Sequence, residues 1–139
     1  DTERQMPYVA TLYPEGLDEG PWIFQTVYAV GAGLGKPPFP TMGLLAGYGR
    51  DQDGNELYLA SAPIYFGNSG GSLYVYSPRR TYELIGVPSM VSAYGWGNVV
   101  THMAWSRPIA EIRAFLRENK YGFILGDEPE PEEEEEEKE

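Results

Sequence analysis

Residues Gly67-Asn68-Ser69-Gly70-Gly71-Ser72 join two segments, Ala60 to Phe66 and Leu73-Tyr74-Val75-Tyr76, that both read as extended strand. Glycine this dense excludes a helix at the junction and permits dihedrals that a side chain forbids. Backbone N–H groups can then converge on one small hollow. A serine hydroxyl attacks a carbonyl only when a base takes its proton and nearby donors hold the oxyanion that forms. Ser69 is therefore a candidate nucleophile, and Gly67 and Ser69, with Asn68 between them, are the candidate oxyanion donors through their backbone N–H groups. A tight glycine turn that merely contains a serine is the alternative, because a short motif is a hypothesis until its context is known.

The rest of the chain supplies that context as a series of strands. Pro7 to Leu12 reads as an edge strand and Pro14 to Pro21 as turns. Trp22 to Val30 is aromatic and β-branched and predicts a central strand. Gly31, Gly33 and Gly35 follow, but Lys36-Pro37-Pro38-Phe39-Pro40 forbids the helix that a phosphate-cradling loop needs. Met42 to Tyr48 is the next strand. Asp51-Gln52-Asp53-Gly54-Asn55 weakly resembles a calcium loop, yet Glu56 opens a strand and Asp53-Gly54 is a hairpin signal, so a turn is expected. Leu73–Tyr76 and Thr81–Ile85 flank Ser77-Pro78-Arg79-Arg80 as a second hairpin. Ser89 to Val100, with Gly95-Trp96-Gly97, predicts a loop or hairpin, and Thr101 to Trp105 the last strand. Ser106 as N-cap, Pro108 in the first turn and Ile109, Ile112 and Leu116 at helical spacing predict a terminal helix ending near Tyr121, with Gly122 as its C-cap.

The motif, with Ser72-Leu73-Tyr74 after it, resembles the nucleophile motif of chymotrypsin-like serine proteases in its bacterial HtrA/Deg-type form. Tyr28 to Gly35, Thr41 to Gly47, Leu84 to Val87 and Ala104 to Leu116 resemble the family's flanking strands and helix in the same order. The resemblance runs from Pro7 to Asn119 and implies an all-β fold: the C-terminal six-stranded antiparallel barrel of a two-barrel enzyme, with one C-terminal helix. The expected domains are a frayed linker at 1–6, the barrel and helix at 7–122, and an acidic disordered tail at 123–139. The implied function is peptide-bond hydrolysis through an acyl-enzyme on Ser69. Pro63, Ile64 and Phe66 are implied as a wall of the primary pocket, Ser89, Met90 and Val91 as the strand that pairs with substrate backbone, and His102 as a residue at the pocket base. Pro63 stands where trypsins carry the aspartate that selects basic side chains, so trypsin-like preference is not implied.

The family draws its histidine and aspartate from the first barrel, in the order His, Asp, Ser. The one histidine here, His102, follows the serine. The chain is thus expected to begin after the base, as a fragment that is inactive alone and has a missing N-terminal barrel as partner. A catalytically inactive, peptide- or protein-binding module is the second possibility. A third is an α/β-hydrolase esterase, since Gly67-x-Ser69-x-Gly71 also fits a nucleophile elbow, with Glu83 and His102 in the right order; that elbow needs a helix directly after Ser69.

Composition narrows the field further. Of the net charge of −11, Asp127–Glu139 carries −9, and the rest is nearly neutral. A glutamate run punctuated by Pro129 and Pro131 predicts a disordered, solubilising tail, with docking to a basic partner as the alternative, and weighs against nucleic acid as ligand. No cysteine and one histidine argue against disulfides and zinc, so no metal or cofactor is expected. No run is long enough to span a membrane as a helix. The compartment is left open, with secretion or the periplasm implied if the intact protein is a typical bacterial enzyme of this kind.

Overall fold

The computed structural model describes residues 9–17 and 21–127. The expected frayed linker at 1–6, the first two residues of the expected edge strand, and 128–139 of the expected acidic tail lie outside them. Among the described residues there are seven strands: β1 (Thr11–Leu12), β2 (Thr26–Gly31), β3 (Phe39–Arg50), β4 (Glu56–Ala60), β5 (Ser72–Tyr76), β6 (Tyr82–Tyr94) and β7 (Asn98–Pro108). Their order is β1-β6-β5-β2-β3-β4-β7, and β6 also pairs with β7. Strands β2 to β7 therefore close into a six-stranded antiparallel barrel, while β1 adds in parallel to β6 through Thr11↔Glu83 and Leu12↔Leu84. Helix α1 (Ile109–Glu118) follows the last strand.

Closure turns one face of each strand inward, and the inward residues are small. Val27, Ala29, Leu45, Ala60, Ala62, Ile64, Leu73, Val75, Ile85 and Ala104 form the buried cluster. Strand β3 takes this furthest. Its inward positions include Gly43, Gly47 and Gly49; at Gly43 the backbone at Ser61–Ala62, and at Gly49 the Trp105 ring, occupy the space that a side chain would need. Its outward positions Met42, Leu44 and Tyr48 are exposed. One end of the barrel is sealed by a carboxylate. Glu83, 2% exposed, receives two hydrogen bonds from Arg79, which hold its pKa below the usual carboxylate range against the cost of burial.

Four local expectations are corrected. Ala60 to Phe66 is not a strand: β4 ends at Ala60, and 61–66 belong to the loop that leads to Ser69. Trp22 to Gln25 is a turn, not strand: Gln25 N–H donates to Trp22 O, and Phe24 takes a left-handed φ of 73° before β2 begins at Thr26. The N-cap of α1 is Pro108 and not Ser106, because β7 runs on through Ser106, whose Oγ is buried without a hydrogen-bond partner. The helix stops at Glu118, before Tyr121. Lys120 N–H donates to Arg117 O and Tyr121 N–H to Leu116 O, the pattern of a Schellman motif, with Lys120 rather than glycine in the left-handed position at φ 64°. Gly122 instead opens a 3-10 turn, Gly122–Leu125, and Asp127 folds back onto Arg117.

Candidate active site

The loop from Ser61 to Gly71 is fixed along its length before it presents Ser69. Ser61 Oγ accepts from Leu44 N–H at 2.8 Å, and Thr41 Oγ1 donates to Pro63 O at 2.6 Å. Ile64 N–H donates to Thr101 O at 3.1 Å. At the turn itself, Asn68 is 1% exposed; its N–H donates to Tyr65 O at 3.0 Å, and its Oδ1 accepts from Tyr65 N–H at 3.2 Å. This reciprocal pair is a polar knot beneath an exposed serine.

The Gly31-x-Gly33-x-Gly35 run seats that knot. A Cβ at Gly31 would lie 3.0 Å from Asn68 Nδ2, and one at Gly33 2.5 Å from Asn68 Oδ1. Strand β2 ends there in a 3-10 turn, Gly33–Gly35, which leaves room for the side chain. Pairing these glycines with Asn68 was not legible in the sequence; glycines two apart at a strand end signal only that something approaches closely.

Two carbonyls orient the candidate oxyanion donors. Phe66 O accepts from Leu34 N–H at 2.7 Å, and Asn68 O accepts from Gly71 N–H at 2.9 Å. In a trans peptide the N–H points opposite to the C=O. Gly67 N–H is thereby turned away from the Gly33–Gly35 turn, and Ser69 N–H away from Gly71. Neither N–H has a hydrogen-bond partner among the described residues. The Asn68 N–H, in contrast, is engaged by Tyr65 and leaves the donor set, so the expected trio reduces to Gly67 and Ser69. Gly67 must be glycine: its φ is +98°, and a Cβ would meet Ala32 O at 2.7 Å.

Ser69 Oγ hydrogen-bonds to no imidazole or carboxylate among the described residues. His102 is exposed, with Nδ1 3.2 Å from Thr101 Oγ1. Its strand bows: the β6–β7 register passes from Val91↔Ala104 to Ser92↔Val100, which leaves Thr101–Met103 as an excursion beside Ile64. Of the expected pocket wall, Pro63 is half-buried and Phe66 exposed, whereas Ile64 is 3% exposed and packs in the core, so it supports the wall and does not line it. On β6, Ser89 Oγ donates to Trp105 O, Met90 is exposed and Val91 packs on the core. A cleft of about 560 Å³ opens beside Met90 and Val91, bounded by Trp105, Leu57 and the turn after β3.

The α/β-hydrolase alternative fails on this geometry. Ser69 is followed by β5, not a helix, and Glu83 is committed to Arg79 at the barrel end. Asp51 likewise is a turn cap: Oδ1 accepts from the N–H groups of Asp53 and Asn55, and Oδ2 from Asn55 Nδ2 and Arg107.

A six-stranded antiparallel barrel with a serine loop between its third and fourth strands and a helix after its last strand is the barrel of the chymotrypsin-like protease fold. Solved structures agree. The HtrA-type protease AlgW with tripeptide superposes with a TM-score of 0.60 at 21% identity, over 83% of this chain and 36% of that one. AlgW with decapeptide gives 0.60 at 23% identity, over 81% and 34%. The likeness establishes the fold, and the chain spans about a third of the length of these solved chains. No protein-family model and no curated protein sequence matches the chain.

Proposed function

We propose that this chain is the nucleophile-bearing barrel of a serine endopeptidase, with Ser69 as nucleophile. The observation that carries the proposal is the pair of N–H groups of Gly67 and Ser69, without a hydrogen-bond partner among the described residues while the carbonyls of Phe66 and Asn68 are engaged, beside the exposed Ser69. Ser69 Oγ attacks the substrate carbonyl while an imidazole takes its proton; the carbonyl oxygen gains the negative charge and rests on the two N–H groups. The tetrahedral species collapses to an ester on Ser69 as the amine leaves with that proton, and water then reverses the sequence. One such donor is worth roughly 100- to 1,000-fold in kcat.

The imidazole and its aspartate are inferred to come from a further barrel in a longer protein, and the chain alone is inferred to be inactive. Pro63, Phe66 and His102 would border the pocket for the residue before the scissile bond, and Ser89 to Val91 would pair with substrate backbone. His102 Nε2 offers a polar contact to a Glu or Gln side chain there. A non-catalytic peptide-binding module is the competing possibility, favoured by there being, among the described residues, no base hydrogen-bonded to Ser69.

Labelling with a fluorophosphonate probe separates the two. The longer protein should label and its Ser69→Ala variant should not, while the isolated chain stays unlabelled. A folded longer protein that resists labelling, once zymogen-like inactivity is excluded by processing, would transfer the case to the binding module. His102→Ala that left cleavage preference unchanged would remove His102 from specificity.

A further inference from the structure

The nucleophile loop is gripped from two sides. In the order β6-β5-β2, strand β5 begins just after the loop and lies between β6 and the end of β2. On the β6 side Gly70 N–H donates to Pro88 O at 3.0 Å, and on the β2 side Leu34 N–H donates to Phe66 O at 2.7 Å. A substrate whose acyl half lies along Ser89 to Val91 sends its leaving half the other way, across the Gly33–Gly35 turn.

That turn is rigid. Leu34 holds a left-handed φ of 57°, a conformation that a leucine rarely keeps and that gathers at functional sites. Leu34 is 65% exposed and Phe66 69%, so two apolar side chains stand in water next to the candidate oxyanion donors. Phe39 backs the turn, with Cζ 3.4 Å from where a Gly33 Cβ would stand. Lys36 comes next: its N–H donates to Gly33 O at 3.2 Å, and its backbone is extended, as the proline after it demands. Pro37 and Pro38 then fix the run into β3. The lysine has a fixed root beside the loop.

Its charge is also isolated. From Pro21 to Gly49 and from Leu57 to Pro78, the stretches that build the turn and the nucleophile loop, Lys36 is the one charged residue. It is exposed and forms no ion pair among the described residues. A solvated lysine is ordinary on a surface. One rooted in a strained turn, with uncharged surroundings, gives a passing peptide a single electrostatic target.

We propose that this face receives the leaving half of the substrate: Leu34 and Phe66 take an apolar side chain just after the scissile bond, and Lys36 selects an aspartate or glutamate two or three residues beyond that bond. The preferred substrate class is thus a segment in which an apolar residue is followed closely by an acid. The inference rests on Ser69 as nucleophile.

The test uses the longer protein inferred above and quenched fluorescent peptides that differ only in carrying Glu, Gln or Lys at the second or third position after the scissile bond. At one of those positions kcat/KM should be about threefold to fivefold higher for Glu than for Gln, the size of an exposed ion pair, and lowest for Lys. The gap should close between about 0.1 M and 1 M salt, where the screening length falls from roughly 10 Å to 3 Å. Lys36→Glu should invert the order in favour of the Lys peptide, a gain that misfolding cannot produce. Leu34→Asn, which suits the left-handed turn, should lower kcat/KM for an apolar residue after the scissile bond and not for glycine there. Equal rates for Glu and Gln at both positions, or an order that survives Lys36→Glu, would overturn the inference. Fluorophosphonate labelling of Ser69 is read on the same preparations. A protein that labels and shows no charge preference overturns this inference alone, whereas one that neither labels nor cleaves overturns the nucleophile and this inference with it.

Discussion

Asn68 is polar, buried and placed between the two residues whose N–H groups are proposed to hold the oxyanion. Its own N–H and Oδ1 close on Tyr65, and this keeps the turn rigid without borrowing the donors on either side. Asn68→Ala should cost about 1–3 kcal/mol, because Tyr65 N–H loses its acceptor in a half-buried setting; urea denaturation checks this. Gly67→Ala should be at least as damaging, about 1–3 kcal/mol, through a strained positive φ and contact with Ala32 O, and it should tilt the Gly67 N–H away from Ser69. The glycine turn around Ser69 was legible in the sequence, because glycine of that density between two apolar segments excludes regular structure. Which N–H groups remain free was not legible, since hydrogen bonds to Tyr65, Leu34 and Gly71 decide it.

At the scale of elements, the hairpin between β3 and β4 depends on one carboxylate. Hydrogen bonds, chiefly from Asn55, draw the Asp51 pKa from the ordinary 3.8 down to about 2. A depressed folded pKa favours the folded state above the unfolded value and loses that benefit on protonation. The Asp51 contribution should therefore be complete above about pH 4 and vanish as pH falls through about 2, and Asp51→Asn should flatten the melting temperature across that window. At the end of α1, Lys120 holds a conformation that costs a non-glycine residue about 1–2 kcal/mol. Lys120→Gly should raise stability, by about 0.5–1 kcal/mol after the greater freedom of the unfolded glycine is deducted, as thermal unfolding would show. Asp53-Gly54 was read correctly as a turn from its local chemistry. The C-cap was misread because Gly122 is locally the better candidate, whereas it opens the fold-back, tied by the contacts of Arg117 with Glu15 and Asp127, four residues beyond the helix end at Glu118.

Over the whole molecule, β3 turns Gly43, Leu45, Gly47 and Gly49 inward and leaves Met42, Leu44 and Tyr48 exposed outside, with exposed Trp22, Ile23 and Phe24 in the turn before β2. Met42 and Leu44 are two apart and so share a face. Apolar surface of this extent on a lone barrel should drive concentration-dependent association in sedimentation velocity. Met42→Lys with Leu44→Glu should suppress it without unfolding the chain. Closely spaced monomer behaviour at all concentrations would show that the stripe is inert. Among the described residues no helix is long and apolar enough to cross a membrane.

Local chemistry alone determined the strand succession, the hairpin at Asp53-Gly54, the final helix and the candidate nucleophile, because turn residues, side-chain alternation and glycine density act over a few neighbouring positions. Pairing of β4 with β7, the seat of Asn68 on Gly31 and Gly33, and the burial of Ile64 were decided only by the tertiary structure. Each depends on residues tens of positions apart coming into register, and register is a property of the closed barrel rather than of any segment in it.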